Sequence, residues 1–267
     1  MPEAAASAPL LDIDGARATI RLNRPRHLNR LQADDLDALL KLFDRIEADP
    51  AVRVMVLTGT GRVFTAGQDL REHADALREA GPGAFDTIAV HYNPVITALA
   101  TMAKPVLAAI NGTCAGAGLG LALACDLRIA AQEARFSTAF TGIGLTPDSG
   151  LSASLARAVG TARASELIIL STPFTAEDAL SWGIVGRLVP AGELADTARV
   201  VASGLAAGPT LAYAAAKRAI RQAWASPWPD VLAAEARDQA ALGATADHRG
   251  AVDAFLAKRA PEFRGRE

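Results

Sequence analysis

The chain has 267 residues, 51% of them hydrophobic, with 27 Lys plus Arg against 29 Asp plus Glu, a formal charge of −2. That length supports one large core, or a core with a small appended unit. So balanced a charge excludes a field strong enough to hold a nucleic-acid backbone, so an anionic ligand has to be met by a local cluster.

The two cysteines, Cys114 and Cys125, lie in apolar stretches and are too few for a disulfide framework, so they read as buried, reduced thiols. Met1 to Pro9 is small and Ala-rich, without the basic start and apolar run of a signal peptide. No run of 18 uncharged apolar residues suggests a membrane span. A cytoplasmic location is expected.

In chain order, residues 16–21 alternate loosely and read as a strand ending before Pro25. Leu36, Leu39, Leu40, Phe43 and Ile46 fall at helical spacing, and Pro50 closes that helix. Val52 to Leu57 reads as a buried β-branched strand. Residues 72–84, with Gly81, Pro82 and Gly83 and little periodicity, read as a mobile loop, and a helix is expected over 86–102. Pro105 to Ile110 is an apolar strand, 111–120 a Gly-rich turn, Leu119 to Cys125 helical and Leu127 to Ala130 a strand. This alternation argues an α/β fold through about residue 190. Beyond it, Glu193–Ala207, Leu211–Ala225, Val231–Leu242 and His248–Lys258 carry helical patterns. The expected division is a core over 1–195 and a helical region over 196–267, the latter either a cap on its own core or an oligomer contact.

Two segments carry chemistry. The first is Phe64-Thr65-Ala66-Gly67-Gln68-Asp69-Leu70. The second runs from Lys104-Pro105 through Asn111-Gly112 and Ala115-Gly116-Ala117-Gly118-Leu119-Gly120 to Cys125-Asp126. In the second, an apolar strand enters a Gly/Ala turn and a helix leaves it. Small residues let a ligand approach the main chain. The first helical turn offers unpaired N–H groups and a positive dipole end, a setting for an anion or a developing oxyanion. The glycines at 116, 118 and 120 do not fit a dinucleotide fingerprint, and no Gly-Lys-Ser/Thr follows for a P-loop. Alone, the segment is also readable, as the lesser alternative, as a close helix–strand packing turn.

Taken together, the two segments resemble the crotonase superfamily of enoyl-CoA hydratases and isomerases. So do Leu22-Asn23-Arg24-Pro25 with Asn29, Ile143-Gly144-Leu145-Thr146-Pro147-Asp148-Ser149-Gly150, Ala179-Leu180-Ser181-Trp182-Gly183-Ile184-Val185 and the closing Phe255-Leu256-Ala257-Lys258-Arg259-Ala260-Pro261-Glu262-Phe263. The resemblance covers nearly the whole chain. It implies a ClpP-like spiral of ββα units, C-terminal helices that form a homotrimer or a dimer of trimers, and an acyl-CoA substrate with no separate cofactor. It also implies an oxyanion hole of two backbone N–H groups, which map to Ala66 and Ala117.

The reaction depends on acids and bases. Family hydratases carry glutamates at the positions of Gly120 and Phe140, and both carboxylates are missing here. Asp148 matches the catalytic Asp of the branch resembling phenylacetate-pathway enoyl-CoA isomerases, as does His91-Tyr92-Asn93-Pro94. One carboxylate suits a 1,3-proton shift. Without the resemblance, Asp148 between Pro147 and Ser149-Gly150 reads as turn chemistry. Three alternatives are a hydratase, an aryl-CoA dehalogenase-like enzyme and a non-catalytic acyl-CoA-binding protein. The dehalogenase type wants a His at Asn93; His91, about 200° around a helix from that place, faces away.

By the same resemblance, the main chain at His27 and Leu28 and from Ala66 through Gly67, Gln68 and Asp69 to Leu70 meets CoA. Gly116, Ala117 and Phe140 line the acyl end, and Phe255 and Lys258 reach CoA in a neighbouring subunit. Arg24 and Arg26 are candidate phosphate partners. Asp69 reads as a helix cap, Glu72 as a solvated side chain with a pocket-facing one as the alternative, and Asp126 as structural. His27, His73 and His248 lack ligand-like partners, so no metal is expected.

Overall fold

The computed structural model describes residues 8–265, so the expectation about a leader falls largely outside the described part. Among the described residues, ten strands form two sheets. The larger holds β1 (Leu10–Asp14), β2 (Arg17–Leu22), β3 (Val54–Gly59), β5 (Val106–Ile110), β7 (Leu127–Ala131) and β10 (Arg187–Val189), in the order β1-β2-β3-β5-β7-β10. Only the β1–β2 pair in it is antiparallel. The smaller holds β4 (Val63–Thr65), β6 (Thr113–Ala115), β8 (Arg135–Ser137) and β9 (Phe174–Thr175), in that order.

The chain thus visits the sheets alternately: β3 then β4, β5 then β6, β7 then β8. Each visit ends in helix: α2 (Leu70–Ala80) and α3 (Asn93–Thr101), then α4 (Ala117–Ala124), then α5 (Leu151–Leu170). This is the expected α/β spiral of ββα units. Strands β3 and β5 are buried on both faces, which explains their near-continuous apolar runs. Val54, Val56, Leu107 and Ala109 face α7 (Leu194–Ala206), meeting Leu194, Ala198 and Ala202. Met55, Leu57, Ala108 and Ile110 face the main core with α1 (Ala33–Ala48), α3 and α4. The remaining helices are α6 (Ala176–Ser181), α8 (Thr210–Ala223), α9 (Trp228–Gly243) and α10 (Ala246–Leu256).

Helix α1 begins in a capping box between Gln32 and Asp35 and buries Leu36, Leu39, Phe43 and Ile46, the stripe legible in sequence. Two expectations need revision. The proposed loop over 72–84 is mostly helix: Asp69 caps α2 by accepting from Arg71 N at 3.1 Å, and the glycines only end it. Its apolar stripe was weak because α2 buries a single side chain, His73. The second is a refinement: the helix expected over 86–102 is present over 86–101, with a π turn (Ile88–Tyr92) leading into α3. Cys114 and Cys125 are free and buried, as expected. No helix among the described residues is long and apolar enough to cross a membrane.

Candidate active site

The first segment is pinned by Asn29. Its side chain donates to Val63 O at 2.7 Å and Thr60 O at 3.0 Å and accepts from Arg24 N at 2.9 Å. Thr65 Oγ1 then donates to Asn29 O at 2.7 Å and accepts from Gly67 N at 3.0 Å. Leu31 and residues 67–69 pair as a short parallel bridge, with Leu31 N donating to Gly67 O and Asp69 N to Leu31 O.

This network changes one expected donor. Ala66 N–H donates to Leu28 O at 3.1 Å, so it is already spent inside the protein. Gly67 and Asp69 N–H groups are spent as well. Gln68 N–H is left without a partner among the described residues. It sits beside the second segment: a Cβ on Gly67 would stand 2.8 Å from Ala115 O and 3.3 Å from Ala117 N, and Gly67 has φ +85°. Only glycine lets the two segments close this far. Across the contact, α4 opens at Ala117 after Gly116, while Leu119 N and Gly120 N both turn back to Gly116 O. Ala117 N–H, in the first turn, has no intrahelical acceptor. The N–H groups left over where the two segments meet are therefore those of Gln68 and Ala117, the former two residues along from the place assigned to Ala66.

Asp148 lies in the turn before α5. Ser149 and Gly150 both have positive φ, 52° and 66°. The Asp148 side chain does not cap α5; Oδ1 accepts from Ser149 Oγ at 2.8 Å. The carboxyl is partly buried, and that burial pushes its pKa up, against the lowering effect of the Ser149 bond. Ser149 rests on Gly120: a Cβ there would meet Ser149 Cβ and Ser149 O, each at 2.7 Å. Gly120 is three residues beyond Ala117, so this turn stands about 5 Å along α4 from the donor end. The position at which the resemblance implies a hydratase glutamate is thus a glycine backed by the Cβ and carbonyl of Ser149. Phe140, 8% exposed, occupies the other glutamate position with hydrocarbon.

Two further groups enter. Glu72 was expected to be solvated but is half-buried, accepts from Ala33 N at 3.3 Å and has its pKa raised by burial. Tyr92, overlooked as a site residue although its motif stood out, is 3% exposed. Burial, then the charges of Asp148 and Glu72, push its pKa far up. Its signal lay in the π turn, which spacing cannot reveal. His91 is engaged with Thr87 Oγ1 at 3.0 Å and lies 3.9 Å from Asp37, while Asn93 is exposed.

The phosphate role expected of Arg24 does not fit. Its side chain is 11% exposed and its guanidinium donates to Arg30 O at 2.9 Å, with Asp69 at 3.4 Å and Asp35 at 3.5 Å. Arg26, His27, Leu28 and Leu70 are exposed around the first segment. Phe255 is 81% exposed and Lys258 is exposed beside it, both remote in sequence from that segment. Asp126 is structural as expected, accepting from Val106 N at 2.8 Å and Lys217 Nζ at 2.6 Å. Among the described residues no cluster of three His, Cys, Asp or Glu is placed to hold a metal.

Residues 12–266 match the enoyl-CoA hydratase/isomerase family model. The 1,2-epoxyphenylacetyl-CoA isomerase of Escherichia coli (strain K12) is 40% identical over 248 residues, 93% of this chain and 95% of the relative. A protein of Rhodobacter capsulatus named probable enoyl-CoA hydratase is 42% identical over 255 residues, 96% of this chain and 97% of the relative. The crystal structure of an enoyl-CoA hydratase from Bacillus anthracis superposes with a TM-score of 0.89 at 32% identity, covering 97% of this chain and 99% of that one. The closed pair of main-chain donors, the alternating two-sheet spiral and these likenesses agree: the chain belongs to the enoyl-CoA hydratase/isomerase family, within the crotonase superfamily.

Proposed function

We propose that the protein is an enoyl-CoA isomerase that shifts a double bond in an acyl-CoA thioester. The observation that supports this is the contact of Ser149, neighbour of the half-buried Asp148, on Gly120, which leaves no room for a glutamate at that position. Gln68 N–H and Ala117 N–H hold the thioester oxygen; each such donor stabilises the transition state by about 3 kcal/mol. That polarisation acidifies the carbon next to the carbonyl and lets a dienolate form. Asp148, as carboxylate, takes a proton from one carbon and returns it to another, so no second acid is needed. A raised pKa suits a group that must both accept and release a proton.

The CoA moiety lies along the main chain of His27, Leu28 and 67–70, with Arg26 as the phosphate partner once Arg24 is engaged internally. Phe255 and Lys258 belong to the site of a neighbouring subunit in a trimer. The exposure of Trp228 (72%), Phe255 (81%) and Leu256 (74%) supports such an assembly. Full turnover by a monomer in sedimentation velocity refutes that part. A cytoplasmic enzyme without a separate cofactor completes the reading.

One observation favours a hydratase as the second reading: Glu72 is a second part-buried carboxyl, and its charge acts on Tyr92 as that of Asp148 does. A single assay separates the two. The protein is incubated with 3-enoyl-CoA and 2-enoyl-CoA, and double-bond migration and water addition are both followed. Migration lost in Asp148→Ala, by 10²-fold or more, supports the isomerase. Robust hydration that survives Asp148→Ala overturns it.

A further inference from the structure

Tyr92 packs in the same apolar cluster as Val95, Leu99, Ala117 and Phe140. Its hydroxyl is buried and has no hydrogen-bond partner among the described residues. A buried hydroxyl without a partner is destabilising, and Phe in the same packing would avoid that cost. The residue closes a π turn, a distortion that concentrates at functional sites.

Its surroundings fix its role. Burial and the negative groups Asp148, Glu72, Asp35 and Asp69 keep the phenol protonated, so it is a donor and not a base. Asp148 does not take that proton in the structure, and its Oδ1 is occupied by Ser149 Oγ. The thioester oxygen is met elsewhere, by the main chain of residues 68 and 117. A hydrocarbon acyl chain offers a donor at Tyr92 nothing to bind, whereas an oxygen on that chain does.

We propose that Tyr92 is a specificity residue whose hydroxyl donates to an oxygen carried on the acyl chain, so that the site takes oxygen-bearing acyl thioesters in preference to hydrocarbon ones. The oxygen is a hydroxyl, ether, epoxide or keto group within reach of the carbons on which Asp148 acts. This rests on the acyl-CoA reading above. The physical basis is that a site with a buried, unpaired polar group discriminates against ligands that leave it unpaired.

Binding tests it independently of turnover. Hexanoyl-CoA and its 2-, 3- and 4-hydroxy counterparts are titrated calorimetrically into wild type and Tyr92→Phe. Wild type is expected to bind at least one hydroxy ester about 10-fold more tightly than hexanoyl-CoA. Tyr92→Phe, expected to fold with an unchanged or higher Tm, removes that preference while hexanoyl-CoA binding stays within about 2-fold. Equal binding of all four esters by wild type overturns the proposal and leaves the acyl-CoA reading intact. Equal weakening of all four in Tyr92→Phe also overturns it, as a merely structural role. If wild type binds none of them, the acyl-CoA reading fails and the proposal with it.

Discussion

Replacing Gly120 by Ala probes how the site is built. A Cβ at this position lies 2.7 Å from both Ser149 Cβ and Ser149 O, where ordinary contact begins at 3.4 Å. One of the two groups has to yield by about 0.7 Å. Helix α4 is buried on nearly every side, so the turn holding Ser149 moves. Overpacking of this kind costs about 1–3 kcal/mol, a Tm drop of roughly 2–12 °C for a chain of this size. The functional effect is larger than the stability effect suggests, because Ser149 carries Asp148 with it through the 2.8 Å hydrogen bond. Displacing a reacting group by a fraction of an ångström to 1 Å lowers kcat/KM by about 10–100-fold. The assay pairs thermal unfolding with the double-bond migration rate, using Gly192→Ala as control because a Cβ there meets nothing. Gly120→Glu is expected to bring no hydration. If Gly120→Ala keeps wild-type Tm and kcat/KM, the contact does not position Asp148 and the reasoning is refuted.

Two more outcomes follow from burial. Asp148 has its pKa raised by burial, so the folded state holds the proton more tightly than the unfolded chain. Stability therefore falls as pH rises through the unfolded and then the folded value. Asp148→Asn should unfold at a higher temperature than wild type at pH 7, with the difference shrinking below the ordinary carboxylate range, while migration is lost; a lower Tm at pH 7 contradicts this sign. Wild-type migration should fall on the acid side at a pH above that range. Lys217 and Asp126 form a 2.6 Å ion pair with side chains only 10% and 19% exposed, so Lys217→Ala should cost about 3–5 kcal/mol in denaturant unfolding. Arg218→Ala, which breaks the more exposed 2.9 Å pair with Asp238, should cost under about 1 kcal/mol; similar losses for both would show that burial is not what sets the difference.

What was legible in sequence follows physical rules. The α1 stripe and the apolar strands β3 and β5 announce themselves because burial imposes a period of 3.6 or a continuous run. Helix α2 does not, because it lies on the surface and buries only His73. The site divides in the same way. The Gly/Ala turn at 115–118 marks close main-chain approach whatever the partner, and Ala117 follows from it. The second donor could not be fixed from residue types, since every residue from 65 to 69 carries an N–H. Only the bonds made by Ala66, Gly67 and Asp69 leave Gln68 over. Arg24 looked like a ligand cation for a related reason: an arginine's partners, here Asp35 and Asp69, are distant in sequence. Tyr92 stayed hidden because a π turn rotates side chains off the helical register on which spacing arguments depend.

The seating of Ser149 on Gly120 also constrains how this protein can change. A two-glutamate site lies at least two substitutions away, at 120 and 140, and any side chain at 120 collides with the 148–150 turn before its carboxylate contributes anything. The turn has to withdraw first, and that step forfeits the placement of Asp148. The route between the two chemistries thus crosses a variant competent in neither, although the main-chain donors at 68 and 117 persist throughout. On the proposed reading, a carboxylate at 120 and the present placement of Asp148 are thus separated by a barrier in sequence space that this contact creates.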